Sequence, residues 1–179
     1  PIVVIGGGPT GIDTATESLA YYPVEVERCL ARHETLVAEN GEAAVRAAWN
    51  EPDTAIAEEW LAHARAIRAE RATAARENRG PRIRELLHSW GGSTLAYRRR
   101  LIDAPSYTAN HEEVAKALEE GIRFVEGFTP TEVVLDQFGH AAALKGKIPV
   151  EGGDGQPITS EVTLPARTIL VAAGTQPNV

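Results

Sequence analysis

The sequence predicts an α/β protein: a parallel sheet, a small antiparallel meander, and an all-helical insertion after the first helix. Three observations lead to this prediction. The chain opens on a continuous run of β-branched residues, 2–5, the pattern of a strand buried on both faces. A glycine turn and an amphipathic helix follow at once. A long block rich in Ala, Glu and Arg then separates this opening from the remaining strands.

Length, charge and cysteine content restrict the class of protein. A chain of 179 residues can form one domain with a good core, or one domain plus a substantial insertion. Its net charge of -7 argues against nucleic acid as the main partner. No apolar run approaches membrane-spanning length, so no membrane partner is expected. Cys29 is the only cysteine, which excludes an internal disulfide and a cysteine metal cluster, and the predicted compartment is the cytoplasm.

The chain contains no methionine, and its first predicted strand begins at the second residue. It also carries no signal peptide that processing would have removed. We therefore expect it to be a piece of a longer protein. Its last residues support the same expectation, because Asn178 and Val179 come just after a strand and a glycine turn.

The first helix is predicted from Pro9 to Tyr21 or Tyr22, because Pro23 blocks continuation. Residues 23–92 have almost no strand signal and are predicted to form three or four helices. The predicted domains are therefore a sheet domain formed by 1–22 and 93–179, and a helical insertion at 23–92.

Sheet character returns after the insertion. A strand over 93–97 leads to three arginines, a loop, and a helix that starts after Asn110, where Glu113 is placed as in a capping box. Residues 132–135 and 140–144 are predicted to form a hairpin. The other predicted features are strands at 122–125 and 162–164, a loose turn at 152–155, and a last buried strand at 168–173.

Residues 6–11 match the pattern GxGxxG between a strand and a helix, the context that makes this motif informative. Gly6 allows the tight turn, Gly8 lets the backbone approach a pyrophosphate, and Gly11 lets the helix pack closely on the strand. Free N–H groups and the helix dipole favour an anion at this point. The alternative is a strand-to-helix turn that merely needs glycines. The predicted cofactor-binding loop of this Rossmann-like domain comprises Gly6, Gly7, Gly8, Pro9, Thr10 and Gly11.

Three arginines, Arg98, Arg99 and Arg100, stand where the second strand of a Rossmann unit ends. An NAD-binding domain has an acidic residue at this point, which accepts from the ribose 2′-hydroxyl. Arginine instead binds a 2′-phosphate with two parallel hydrogen bonds, so the sequence predicts NADPH. Arg98 and Arg99 are better placed than Arg100, being nearer the strand end. The alternative is a solvated basic turn.

Three further residues belong to the predicted site. Tyr97 directly precedes the arginines, and Ala173 and Gly174 end the last strand, where small side chains allow the cofactor to approach. The histidines of the insertion lack metal-ligand spacing, so no metal site is predicted.

Four segments of this chain, in the same order, resemble a known family: 3–13 (VVIGGGPTGID), 95–100 (LAYRRR), 112–124 (EEVAKALEEGIRF) and 169–178 (ILVAAGTQPN). The chain resembles the NAD(P)H-binding domain of FAD-dependent oxidoreductases of the pyridine nucleotide-disulfide type. Within that group it is most similar to the small-subunit family of NADPH-dependent glutamate synthase.

The resemblance implies that NADPH binds this domain and passes hydride to FAD. In such proteins the domain is inserted into a split FAD domain, so the FAD domain of the same full-length chain is the expected partner. The full-length protein would be an NADPH-dependent flavoprotein oxidoreductase, and the piece alone would be inactive. No catalytic residue is expected in it, because hydride transfer from nicotinamide to flavin needs no protein acid or base.

Two alternatives remain open. The glycine turn could hold the ADP part of FAD, although an acidic residue would then be expected where the arginines stand. Alternatively, the insertion at 23–92 could dock a partner subunit on a degenerate dinucleotide fold. The family has no such insertion, and we interpret it as the mark of a subgroup with a different final electron acceptor.

Overall fold

The computed structural model of the chain describes residues 1–151 and 157–174. Within them, parallel and antiparallel sheets combine with helices, which confirms the predicted α/β fold class. The chain divides into two compact units. The first unit consists of Pro1–Leu19 and the described residues from Leu87 onward, and the second is Ala20–Leu86. The predicted boundaries, 23 and 92, fall a few residues later than those of the second unit.

The elements of the described residues follow one another in this order. The strands are β1 Ile2–Ile5, β2 Ser93–Ala96, β3 Arg123–Val125, β4 Thr129–Leu135, β5 Ala141–Glu151, β6 Pro157–Pro165 and β7 Thr168–Val171. The helices are α1 Pro9–Asn40, α2 Glu42–Ala47, α3 Glu51–Arg76, α4 Ile83–Ser89, α5 Pro105–Ala109 and α6 His111–Glu119, and a single 3₁₀ turn spans Leu101–Asp103.

The parallel sheet has the strand order β3-β2-β1-β7. Its central strand β1 pairs with β2 and with β7, so that Val4 lies opposite Leu95 on one side and Leu170 on the other. The burial of Val4 fits the β-branched run of a central strand. Because all four strands are parallel, their carboxyl ends meet at one edge, where Gly6 follows β1 and Tyr97 follows β2.

The last strand, β7, corrects the prediction of a buried strand over 168–173. It ends at Val171 and lies at the edge of the sheet. Val171 is 73% exposed, so this strand is not buried on both faces as its apolar sequence predicted. A run of apolar residues does not distinguish an edge strand from a central one. The loose turn predicted at 152–155 lies outside the described residues.

The antiparallel sheet, in the order β4-β5-β6, packs on the parallel sheet through a shared apolar core. Val3 and Ala96 contribute from the parallel strands, and Leu144 contributes from β5. Phe128 fills the space between them, directly over Gly146. A Cβ added at Gly146 would lie 2.3 Å from the Phe128 ring, so only glycine fits at that point of β5.

The first helix corrects the prediction that it stops before Pro23. Helix α1 continues through this proline as far as Asn40. Proline removes one N–H donor and crowds the preceding turn, which costs about 3 kcal/mol in an exposed helix interior. Here the ring is itself buried, in line with the buried residues Val26 and Leu30. Burial of this continuous apolar face offsets the lost hydrogen bond, and the local rule fails for that reason.

The second unit is helical throughout its described elements. Helix α3 begins after Asn50, whose side chain accepts a hydrogen bond from the Asp53 N–H, with Pro52 in the first turn. Leu61 and Ile67 are buried on its inner face. None of the described helices is long and apolar enough to span a membrane.

Candidate functional site

A cleft of about 660 Å³ lies within the first unit, at the carboxyl edge of the parallel sheet. This is where parallel α/β sheets bind their ligands. The cleft is lined by the glycine loop, the ends of β2 and β7, the start of α5 and the segment before β4. Nine of the predicted site residues lie in its lining: Gly6, Gly7, Gly8, Pro9, Thr10, Tyr97, Arg98, Ala173 and Gly174.

The glycine loop, residues 6–8, makes close backbone contacts that exclude larger residues. Gly6 has φ +149°, and a Cβ there would lie 2.2 Å from the carbonyl oxygen of Ala172 in the neighbouring segment. A Cβ on Gly7 would lie 2.5 Å from the ring of Tyr97. Gly11, outside the cleft lining, would place a Cβ 2.9 Å from the Gly6 carbonyl oxygen and 3.6 Å from Leu95. Gly11 therefore lets α1 start close behind the loop, in the packing role predicted for it.

Gly8 differs from its neighbours because it faces open space. A Cβ there would meet no atom within 4 Å, although the residue lines the cleft. Nothing in the fold requires glycine at this position, whereas a ligand that touched the backbone would require it. The openness matches the role predicted for the second glycine of the motif.

The backbone N–H groups of Gly7, Gly8 and Thr10, which line the cleft, have no hydrogen-bond acceptor among the described residues. By contrast, the Gly6 N–H donates to the Ala96 carbonyl, and the Gly11 N–H donates to the Gly8 carbonyl. Unpaired N–H groups at the start of a 32-residue helix carry partial positive charge. The cleft therefore presents donors to an anion.

The carbonyl of Gly7 is fixed by Ser106, a residue that sequence reasoning missed. The Ser106 N–H and the Ser106 Oγ each donate to the Gly7 oxygen, both at 3.0 Å. Ser106 is buried at the start of α5, and the preceding Pro105 lines the cleft. Ninety-nine positions separate Ser106 from Gly7, so no local pattern could have predicted the contact.

The three arginines are separated by the structure. Arg98 is exposed and lines the cleft, and its guanidinium has no hydrogen-bond partner among the described residues. Arg99 is exposed outside the lining, and its carbonyl accepts from the Gly127 N–H. Arg100 lies outside the lining too, in a two-bond ion pair with Asp103 at 2.8 and 3.1 Å. This pair lowers the pKa of Asp103 and raises the pKa of Arg100.

Tyr97 and Phe128 shape the wall of the cleft beside the arginine turn. The Tyr97 N–H donates to Val125, and the Tyr97 carbonyl accepts from the Phe128 N–H, each at 2.9 Å. The two backbone bonds hold the Tyr97 ring against the glycine loop. Phe128 and the nearby Pro130, which sequence reasoning did not single out, also line the cleft. Phe128 is buried in the core behind this wall, whereas Pro130 is exposed and Tyr97 is partly exposed, so these two offer apolar surface to the flat face of a base.

Among the described residues that line the cleft, none is His, Cys, Asp or Glu. The donors of the cleft include backbone N–H groups, the Thr10 hydroxyl and the guanidinium of Arg98. The Thr14 hydroxyl also lines the cleft, but it donates to the Thr10 carbonyl at 2.6 Å. The arrangement places hydrogen-bond donors where an anionic ligand could reach them.

No protein-family model matches the chain. The chain is similar to the uncharacterized protein RP006 of Rickettsia prowazekii (strain Madrid E), with 35% identity over 148 residues. The match covers 83% of this chain but only 18% of RP006, so the chain spans less than a fifth of the length of that relative. The name of RP006 states no activity, and the resemblance to the glutamate synthase small-subunit family stays a prediction.

Proposed function

We propose that the first unit binds NADPH in the cleft at the carboxyl edge of its parallel sheet. One observation carries this proposal: the unpaired N–H groups of the glycine loop and the unpaired guanidinium of Arg98 line one cleft. Both kinds of donor are suited to anions, and NADPH has a pyrophosphate and a 2′-phosphate to offer them.

Different residues of the cleft would contact different parts of NADPH. The N–H groups of Gly7, Gly8 and Thr10 receive the pyrophosphate, since Gly8 leaves open space for it. Arg98, which follows β2, receives the 2′-phosphate on the adenosine ribose, and Tyr97 provides apolar surface beside it. Ala173 and Gly174 allow close approach from the end of β7. Arg99 is exposed on the same turn and stays a second candidate for the phosphate, whereas Arg100 is already paired with Asp103.

The same proposal extends to the reaction. In a full-length flavoprotein, NADPH held here would supply hydride to FAD held by the rest of the chain. This unit supplies binding and orientation, and the cofactors supply the chemistry. The resemblance of the four sequence segments supports this step. The proposed compartment is the cytoplasm, on the ground that Cys29 is the only cysteine.

Titration of the purified protein with NADPH, NADH and FAD tests the proposal. We expect NADPH to bind most tightly. Replacing Arg98 by alanine should weaken NADPH binding about tenfold, because a charge-assisted phosphate contact is lost, and should leave NADH binding unchanged. Arg100→Ala is the matched control and should change neither affinity, since Arg100 is bound to Asp103 outside the cleft lining.

Three other outcomes would each contradict part or all of the proposal. Equal affinity for NADH and NADPH would remove the 2′-phosphate role of the arginine turn. Tightest binding of FAD would favour the alternative in which the cleft holds the ADP part of that cofactor. Failure of all three ligands to bind would favour a partner-docking role for the helical unit.

A further inference from the structure

The peptide between Gly7 and Gly8 faces two different surroundings. On one side the Gly7 carbonyl accepts two hydrogen bonds from Ser106, which is only 3% exposed. Two donors occupy both lone pairs of that oxygen. On the other side Gly8 lines the open cleft, where a Cβ would meet no atom within 4 Å. The same peptide therefore has a carbonyl oxygen, that of Gly7, with both acceptor positions filled, and an N–H group on Gly8, a partly exposed residue that lines the cleft.

The orientation of this peptide determines whether its N–H or its C=O group faces the cleft, and therefore which partial charge a ligand would meet there. In a trans peptide the C=O of one residue and the N–H of the next point in opposite directions. A carbonyl held on the Ser106 side therefore turns the Gly8 N–H away from Ser106. Two consecutive glycines present little steric resistance to rotation of the peptide between them, so sequence alone does not select this orientation. With the peptide reversed, the Gly7 oxygen would carry partial negative charge toward an anionic ligand.

We propose that Ser106 is a positioning residue for the anion-binding loop. It holds the Gly7 carbonyl inward and thereby keeps the Gly8 N–H available to a pyrophosphate. The inference rests on the proposed NADPH site and assigns to α5 a role in it. The hydroxyl supplies the second of the two hydrogen bonds and the backbone N–H the first, so a substitution that removes the hydroxyl removes half of the restraint.

The test compares two ligands on two buried serines. NADPH contains a pyrophosphate, and adenosine 2′-monophosphate contains the same adenosine 2′-phosphate without it. Ser106→Ala removes the hydroxyl that holds Gly7. Ser93→Ala is the matched control, because the Ser93 hydroxyl is equally buried, belongs to the same unit and has no hydrogen-bond partner in the structure. Affinities are measured by NMR titration, which covers weak ligands, and circular dichroism checks that each variant is folded.

We expect Ser106→Ala to weaken NADPH about tenfold and to leave adenosine 2′-monophosphate unchanged. Ser93→Ala should change neither affinity. Ser106→Thr retains a hydroxyl and should restore NADPH binding, which also covers the case in which the alanine variant does not fold.

Three results would overturn the inference while the NADPH site stands. They are equal weakening of both ligands by Ser106→Ala, identical NADPH affinities for Ser106→Ala and Ser93→Ala, and a folded Ser106→Thr that binds NADPH as poorly as the alanine variant. Wild-type protein that binds neither NADPH nor inorganic pyrophosphate would overturn the NADPH site and the role of Ser106 together.

Discussion

The two units differ in the pairing of the polar groups that distinguish each of them. In the first unit the N–H groups of Gly7 and Gly8 and the guanidinium of Arg98 line a cleft and have no hydrogen-bond partner within the described part of the chain. In the second unit several arginines are paired with glutamates. Arg46 bonds Glu42 and Glu58, Arg68 bonds Glu34 at 2.6 Å, and Arg79 bonds Glu70 and Glu77.

This difference distinguishes groups that are available to a ligand from groups that hold the fold together. A group that a ligand must reach has to stay unsatisfied in the free protein, at some cost in stability. Two of these ion pairs join one helix to another: Arg46–Glu58 links α2 to α3, and Arg68–Glu34 links α3 to α1. Pairing leaves these arginines less able to bind a ligand. Arg100 in the first unit is a further example, because its ion pair with Asp103 leaves it less able to bind a ligand. The guanidinium of the neighbouring Arg99 has no partner among the described residues.

The largest effect is expected at Gly6. Gly6→Ala places a methyl group 2.2 Å from the Ala172 oxygen at a residue with φ +149°, so strain and overlap add. We expect the free energy of unfolding to fall by about 3 kcal/mol, measured by urea denaturation. Gly80→Ala is the control, because a Cβ there meets no atom within 4 Å. Equal stability of the two variants would show that the loop lacks the close contact with the end of β7.

Substitution of Gly8 should weaken ligand binding without changing the stability of the fold. Gly8→Ala adds a methyl group in open space, so we expect the urea midpoint to stay at the wild-type value. The same methyl group would occupy the space proposed for the pyrophosphate, and NADPH should bind about tenfold more weakly. An alanine variant with wild-type affinity would mean that the ligand does not touch this backbone.

The smallest effect is expected in the second unit and depends on pH. Hydrogen bonds from Arg79 and from the Arg82 backbone lower the pKa of Glu70 to about 2, from an ordinary value of 4.5. A carboxylate with a depressed native pKa stabilises the fold above pH 4.5, and this contribution is lost as the pH falls toward 2. Glu70→Gln should therefore be less stable than wild type at pH 7, and the difference should shrink at pH 3.

Glu39→Gln serves as the control for this substitution, because Glu39 is exposed and has no ion pair within the described residues. Its stability should match that of wild type at both pH values. A difference between Glu70→Gln and wild type that stayed constant from pH 7 to pH 3 would contradict the ion pair with Arg79.

The sequence predicted those features that depend on local chemistry. Strand β1, the glycine turn and the start of α1 follow from one continuous segment, and the predicted fold class is confirmed. The end of α1 at Asn40 also has a local cause, because the next residue, Gly41, takes φ +82°, where a side chain is disfavoured.

Features that depend on tertiary packing were predicted poorly. The passage of α1 through Pro23 depends on the burial of the proline ring, which propensity does not contain. The capping box was half right, since Asn110 precedes α6 but its side chain donates to the Glu113 carboxylate at 2.8 Å instead of accepting from the backbone. Ser106 could not have been found, because its contact with Gly7 is set by the fold alone.

Amide chemical shifts recorded with and without NADPH test the comparison between the two units most directly. If the ligand binds to the unpaired N–H groups of the cleft, the largest changes in amide chemical shift should occur at Gly7, Gly8 and Thr10, with smaller changes at Tyr97 and Arg98. The amides of α2 and α3 in the second unit should stay where they are. Shifts confined to the helical unit, or saturating NADPH that leaves the Gly8 amide unmoved, would contradict the assignment of the cleft.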